Sequence, residues 1–191
     1  MMGLSSFLGE AAESYYELNG TYVCIIGVKK VEVPDVTDFM CSIRALSETE
    51  VITQAINARA AFGIDHLLGV LKITLECQKR NITISMKPEI DLLLRLSLTN
   101  QISLAMYRTG IRRDNPAVII AYSTDKKKVI NVRNNIVKMV RHIDNAVLKN
   151  IKESKDHILE LFNTNKQPNI QAGDNRFLTD YLIEQSALVM K

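Results

Sequence analysis

The chain has 191 residues, of which 47% are apolar and 24% are charged, and its formal net charge is +3. A chain of this size can bury a core without disulfides or metals, so we expect one globular domain over residues 1–191. Its apolar runs are much shorter than the ~20 residues of a membrane-spanning helix, and no basic residues precede an apolar run at the N-terminus. We therefore expect no transmembrane helix, no signal peptide and no membrane partner.

The charges are distributed unevenly. From Arg108 to Lys155 there are 12 Lys and Arg against 4 Asp and Glu, a balance of +8, while the rest has 12 against 17, a balance of −5. This asymmetry indicates an anionic partner, and an ordinary solvated helix surface is an equally good explanation. The three cysteines form no CxxC pair, which is typical of reduced thiols in a cytoplasmic protein, or a nuclear one if the source is eukaryotic.

The first part of the chain alternates between helix-like and strand-like patterns. Residues 1–20 are polar and acidic, which predicts a loosely packed helix or loop. Thr21–Val28 is rich in Val and Ile and predicts a buried strand. Beyond Pro34, apolar residues at helical spacing predict a helix through about Leu46, and a short strand is expected at Val51–Ala55.

A long helix is predicted from Ile64 to about Arg80, with Asp65 accepting hydrogen bonds from the first-turn amides. Because its apolar residues fall on two faces, we expect it to be packed on two sides. The segment Glu89–Ser97 reads EIDLLLRLS, and the alternation of Ile and Leu in it predicts a strand. A short helix is expected next, with Gly110 as the residue that follows its end.

The last part begins with a predicted strand at Ala117–Tyr122. Residues 124–175 form a basic, variable section with one helix after Asp125 and another at Glu153–Phe162, followed by a loop. Residues 176–191 are expected to form an amphipathic closing helix. Because strands and helices are interspersed, we expect an α+β fold with a mixed, roughly four-stranded sheet packed with six or more helices.

The sequence lacks the motifs of common catalytic and metal sites. Its eight glycines are scattered, so no phosphate-binding loop is present, and no GxSxG nucleophile motif occurs. The histidines His66, His142 and His157 lie in no zinc-binding pattern. We therefore expect a protein that is not an enzyme, with no catalytic residues, metal or cofactor; a small enzyme of unknown type is one alternative. His66, in the first turn of the long helix, is expected to be structural.

Three stretches are similar, in order and spacing, to one known family. They are QAINARAAFGIDHLLGVLKITLE at Gln54–Glu76, EIDLLLRLSLTNQISLAMYRTGI at Glu89–Ile111 and LIEQSALVM at Leu182–Met190. Together they resemble the kinase-binding accessory subunit (TPRKB-type) of the KEOPS tRNA-modification complex. The resemblance covers about residues 21–123 and the last fifteen. Two positions depart from it, because Gln185 stands where the family commonly has arginine and Asn100 where many members have a basic residue.

The resemblance implies a function. KEOPS makes threonylcarbamoyladenosine in tRNA, and a separate subunit carries out the transfer. The accessory subunit binds the small atypical kinase of the complex directly, regulates it and reaches the other subunits through it. In archaeal-type members it also holds the single-stranded 3′ CCA end of tRNA. It uses no metal and no cofactor of its own.

The resemblance places the kinase contact on the closing helix. The residues we expect there are apolar and suited to a buried interface: Leu182, Ile183, Ala187 and Leu188. The alternative is that this helix only closes the core. Leu182 and Ile183 point in different directions on a helix, so both roles can hold.

For tRNA, phosphates are followed by cations and unpaired bases stack on flat side chains. The expected RNA-binding residues are the basic residues on the long helix and on the two segments after it: Lys72, Lys79, Arg80, Arg95, Arg108, Arg112 and Arg113. The plain alternative is ordinary solvated charge. A stand-alone RNA-binding module is the other functional alternative, and it would bind tRNA in a salt-sensitive manner whether or not the CCA end is present.

Overall fold

The computed structural model describes residues 15–46, 50–149, 151–161 and 174–190. Within them the chain forms four strands and seven α-helices, which makes the fold α+β as expected. The elements in chain order are β1 Tyr15–Leu18, β2 Thr21–Val28, α1 Val36–Ala45, β3 Ile52–Asn57, α2 Gly63–Lys79, α3 Pro88–Leu96, α4 Ile102–Thr109, β4 Ala117–Ser123, α5 Lys126–Met139, α6 Ile151–Leu161 and α7 Asn175–Leu188. Short 3-10 turns occur at Ala58–Ala60 and Asn145–Leu148. No helix in the described part is long and apolar enough to cross a membrane.

The described residues group into two compact units, each built from two stretches of chain. The sheet unit consists of those in Met1–Asn57 and Ile111–Val147 and holds all four strands with α1 and α5. The helical unit consists of those in Ala58–Gly110 and Leu148–Lys191 and holds the other five helices.

The sheet has the order β1-β2-β4-β3, and all three pairings are antiparallel. The expectation of a mixed sheet is therefore wrong. β2 and β3 do run in the same direction, but β4 lies between them, so no parallel pair forms. In register, Ile120 of β4 faces Ile25 on one side and Gln54 on the other.

The core of the sheet unit lies between the sheet and its helices. Every residue of β4 is buried, because this strand has a neighbour on each side. α5 supplies Val129, Val132 and Ile136 to the core, at the spacing that the sequence predicts, and Asp125 caps its first turn. α1 contributes Phe39 and Ile43 and is capped by Asp35. These strands and helices confirm the sequence predictions for this unit.

The segment predicted as a strand at 89–97 is instead the helix α3. Pro88 occupies its first turn, where proline's fixed backbone angle and missing N–H suit a helix start. All six residues from Asp91 to Leu96 are buried, so the helix is covered on every side. The alternation of Ile90, Leu92, Leu94 and Leu96 nevertheless also fits a strand, whereas Asp91 and Arg95, four residues apart, share one side of the helix.

Four smaller expectations also need correction. Tyr15–Leu18 is a strand, whereas residues 1–14 of the predicted loop or helix lie outside the described residues. Asp65 is not the cap of α2, which begins after Phe62 without a side-chain cap. Gly110 ends α4 with φ −63° rather than in the left-handed conformation expected of such a glycine. α6 begins two residues before the predicted start at Glu153, and α7, expected over residues 176–191, runs from Asn175 to Leu188. Residues 163–173 of the expected loop lie outside the described part.

Candidate interaction surfaces

The helical unit exposes several large apolar side chains. Six of them are more than half exposed: Ile82, Met86, Ile102, Tyr107, Leu188 and Met190. Leu188 and Met190 lie at the end of α7 and just beyond it, where Leu188 is 63% and Met190 71% exposed. Two of the six therefore lie together at this end of α7, where they offer apolar area that a partner could cover.

The four residues expected to bind the kinase do not share one environment. Leu182 is fully buried with Phe62 and Leu178, so it has no surface for a partner and belongs to the core. Ala187 and Leu188 are exposed in the last turn. The structure therefore places Leu182 in the core and leaves Ala187 and Leu188 on the surface.

Ile183 is half-buried because it packs on α2. A Cβ atom at Gly69 would overlap Ile183 Cδ1 and lie 2.7 Å from its Cγ1. The absence of a side chain at position 69 therefore allows α2 and α7 to approach closely. Ile183 is consequently a packing residue first, with only part of its side chain available to a partner.

Arg95, expected to bind RNA, is instead a core residue. It is 1% exposed, and its Nε lies 3.3 Å from Asp91 Oδ2, one helical turn earlier. Its Nη1 donates to Ser186 O (3.0 Å) and its Nη2 to Ile82 O (3.4 Å). Asp91 Oδ1 also accepts from Ile84 N at 2.7 Å. Removing a guanidinium from water is costly unless it is paired, and here all its partners are internal. Because the side chain is buried, it is not accessible to an RNA phosphate.

The spacing of Asp91 and Arg95 indicates an ion pair if the segment is a helix, but not if it is a strand. Asp91 and Arg95 are four residues apart, the spacing at which opposite charges meet on a helix. In a strand the same two side chains point to one face, about 13 Å apart along the chain. Once the segment is recognised as a helix, an ion pair between Asp91 and Arg95 is expected, whereas its burial is not indicated by the spacing.

A second side chain reaches the end of α7. Asn100, between α3 and α4, donates from Nδ2 to Met190 O at 3.1 Å. Both residues line an open groove with Leu98, Gln185 and Leu188. Asn100 is one of the two departures from the family pattern, and its amide here makes an internal contact to the end of the chain.

The expected RNA-binding residues other than Arg95 fall into two groups, one on the helical unit and one on the sheet unit. Lys72 and Lys79 are exposed and lie seven residues apart on one side of α2, so both remain available to an anion. Arg80 lies on the surface with its Nε 2.6 Å from Glu76 Oε1. Half-buried Arg108 donates from Nη1 to Ser97 O (2.8 Å), which leaves less of its guanidinium for RNA.

Arg112 and Arg113 belong to the sheet unit and are exposed there. The Arg113 Nε lies 3.6 Å from Asp114 Oδ2. Of the seven basic residues expected to bind RNA, four therefore lie exposed or half-buried on the helical unit, two lie on the sheet unit, and Arg95 is internal.

His66 has the structural role expected for it. It is 1% exposed, and its Nδ1 accepts a hydrogen bond from Phe62 N at 3.0 Å, just before α2 begins. Its Nε2 makes no hydrogen bond to any described residue. Burial lowers the pKa of His66 to about 4, so the ring is neutral at pH 7.

The three cysteines differ in burial. Burial raises the pKa of the Cys24 thiol to about 12, which holds it in the unreactive protonated form. Cys41 is exposed and Cys77 half-buried, and neither forms a disulfide. Among the described residues, no group of three or more His, Cys, Asp or Glu side chains is placed to hold a metal ion.

No protein-family model matches this chain, and no curated protein matches it either. The case for a function therefore depends on the residues and on the surfaces described above.

Proposed function

We propose that this chain is the non-catalytic accessory subunit of a KEOPS-type complex, which binds the small atypical kinase of that complex and helps to recruit tRNA through its 3′ CCA end. The observation that carries the proposal is the exposed apolar end of α7, at Ala187 and Leu188. The motif resemblance implies that the kinase binds this same helix.

The energetics of this surface suit a protein partner. Burying one large apolar side chain stabilises an interface by about 1.5–3 kcal/mol, and a few such anchors dominate most protein interfaces. Leu188 and Met190 offer that area at the end of α7. The carbonyl of Ile82, another exposed residue, and that of Ser186 are bound by the same guanidinium group.

The kinase contact is tested by gel filtration and by titration calorimetry with the small kinase of the same organism. We expect a stable complex at micromolar concentration. Leu188→Arg places a charge at the centre of the surface and is expected to weaken binding at least about tenfold. Phe177→Arg is the matched control, because Phe177 is also exposed but lies in the first turn of the same helix.

The control variant should bind as the wild type does, and both variants should keep the wild-type melting temperature. Absence of a complex with the wild-type chain, or equal binding by Leu188→Arg, contradicts the proposed kinase surface. Ile183→Arg is less informative, because Ile183 packs against Gly69 and a charge there would also disturb the fold.

The tRNA part of the proposal depends on Lys72 and Lys79, the two exposed cations on one side of α2. Changing both to Glu should weaken tRNA binding and reduce its salt dependence, since cations that contact phosphates release counterions. The control with the same change of charge is Lys138→Glu with Lys152→Glu, at exposed positions on α5 and α6.

Removing the CCA end from the tRNA separates the two RNA hypotheses. The accessory-subunit proposal requires that affinity falls when the CCA end is absent. Affinity that is unchanged by that removal, but falls steeply with added salt, favours a stand-alone RNA-binding module instead.

A further inference from the structure

The end of α7 is held by side chains from a neighbouring helix. The last four carbonyls of any α-helix have no partner within the helix, and they must be satisfied in another way when they are buried. In α7 one of these is Ser186 O, which accepts from Arg95 Nη1 at 3.0 Å. Beyond the helix, Met190 O accepts from Asn100 Nδ2 at 3.1 Å. Arg95 belongs to α3, and Asn100 lies four residues after its last residue, Leu96.

The Arg95 anchor is a rigid one. Its guanidinium is fixed by Asp91 on the same helix and by two carbonyls, Ile82 O and Ser186 O, that come from different segments. A cation at the end of a helix also interacts favourably with the negative end of the helix dipole. The position of Ser186 is thereby tied to α3 and to the connection between α2 and α3.

The exposed residues expected to meet the kinase lie between these two anchored carbonyls. Ala187 and Leu188 follow Ser186 and precede Met190, so both ends of this short stretch are hydrogen-bonded to the α3 segment. We propose that Arg95 and Asn100 are positioning residues, which hold the last turn of α7 in the conformation that the partner binds. The identity of that partner rests on the proposed function, whereas the anchoring itself does not.

The physical reason for such an arrangement is entropic. A helix end normally frays, and ordering it on binding would subtract from the affinity. Arg95 and Asn100 order the end of α7 before the partner arrives, which removes this cost. The burial of Leu188 against the partner therefore contributes more of its free energy to the affinity. Asn100 is the sharper probe of the two, because its side chain is exposed and its removal leaves the core intact.

The experiment uses Asn100→Asp, which keeps the shape of the side chain and removes its N–H donors. Losing one hydrogen bond that orders the surface should raise the Kd for the small kinase about fivefold, mainly through faster dissociation. Hydrogen exchange in the isolated full-length chain should become faster for the peptide covering Glu184–Met190. The melting temperature should stay within about 2 °C of the wild type, as is usual for an exposed substitution.

The matched control is Asn175→Asp, the same change at an exposed position at the opposite end of α7, about 20 Å away along the helix axis. It should leave both the Kd and the exchange of Glu184–Met190 unchanged. Arg95→Met is a second variant, expected to accelerate exchange at Ile82–Ile84 as well, because these amides share its network.

The outcomes are distinguishable. Unchanged exchange at Glu184–Met190 in Asn100→Asp overturns the inference, whether or not the kinase binds. Faster exchange with an unchanged Kd overturns it too, since the ordering would then contribute nothing to binding. If the wild-type chain fails to bind the kinase, the proposed function fails, while faster exchange in the variant still supports the anchoring of the helix end.

Discussion

At the scale of single residues, the buried ring of His66 makes the stability of the fold depend on pH. Its ring accepts from Phe62 N inside the helical unit, and burial lowers its pKa from 6.5 to about 4. In the unfolded chain the same ring takes up a proton near pH 6.5, while in the folded chain it stays neutral down to about pH 4. Since the unfolded state binds the extra proton in this window, acid favours unfolding.

We therefore predict that His66 contributes stability that is complete above pH 6.5 and is lost as the pH falls to about 4. The loss should approach about 3 kcal/mol, from the size of the pKa difference. Urea unfolding at pH 7 and at pH 4.5 measures it. In His66→Gln the amide oxygen can still accept from Phe62 N. The unfolding free energy of this variant should therefore fall less than that of the wild type between pH 7 and pH 4.5, by most of the about 3 kcal/mol. Equal falls in both proteins would contradict the prediction.

The residue roles were only partly predictable from sequence. His66 and the three cysteines behave as their lack of motif partners indicates. Arg95 could not be placed correctly, because its burial depends on Asp91, Ile82 and Ser186, and Ser186 lies far along the chain. A basic residue gives the same sequence signal whether it faces RNA or an internal carboxylate, and only its surroundings decide between them.

At the scale of elements, the contact between α2 and α7 depends on a glycine. Ile183 occupies the space above Gly69, where any side chain would overlap it. Glycine in the middle of a helix normally costs about 1 kcal/mol relative to alanine, so here close packing compensates for poor helix propensity. This contact lies five residues before the last residue of α7, about 7.5 Å along the helix axis, and so helps to position the exposed end.

We predict that Gly69→Ala destabilises the wild-type chain by about 1 kcal/mol, because overpacking exceeds the gain in helix propensity. In an Ile183→Ala background, where the space is vacant, the same substitution should stabilise by up to about 1 kcal/mol. A double-mutant cycle of unfolding free energies measures the coupling. Additive effects would show that Ile183 does not press on position 69.

Most of the elements were predictable from the sequence, and α3 was not. α1 and α5 have clear apolar stripes and a capping Asp, and β2 and β4 are short apolar runs rich in Val and Ile. In α3 the alternating Ile90, Leu92, Leu94 and Leu96 fit a strand as well as a helix, so this alternation did not decide between the two. The Lys-Pro pair before it was the remaining signal of a helix start.

At the scale of the whole molecule, β4 organises the sheet unit. It is hydrogen-bonded to β2 over its whole length and to β3 from Ala117 to Tyr122, and all of its residues are buried. β1, by contrast, is a four-residue edge strand paired on one side. The stability of the sheet against local opening should therefore rise from β1 towards β4.

We predict that the amides of Val118–Tyr122 exchange more slowly with solvent than those of any other strand. Residues Tyr15–Leu18 should exchange fastest among the strands, because fraying opens an edge without disrupting the rest. Native-state hydrogen exchange followed by NMR tests this order. Comparable rates in β1 and β4 would mean that the sheet opens only as one cooperative block.

The division into two units was beyond what sequence patterns could predict. No Gly- or Ser-rich linker marks the crossings near residues 57, 110 and 147. Patterns of apolar residues indicate which faces are buried, but not which distant stretches bury them together.

The order of the strands has a consequence for biosynthesis. The strand at the centre of the sheet is the last of the four to leave the ribosome, after β2, β3 and all of α2, α3 and α4. Until it emerges, β2 and β3 each present a row of unpaired backbone groups, the feature by which nascent chains attract one another. The growing polypeptide is thus prone to aggregation until the whole of β4, up to Ser123, has left the ribosome and can pair. A chaperone would protect the chain most during this interval.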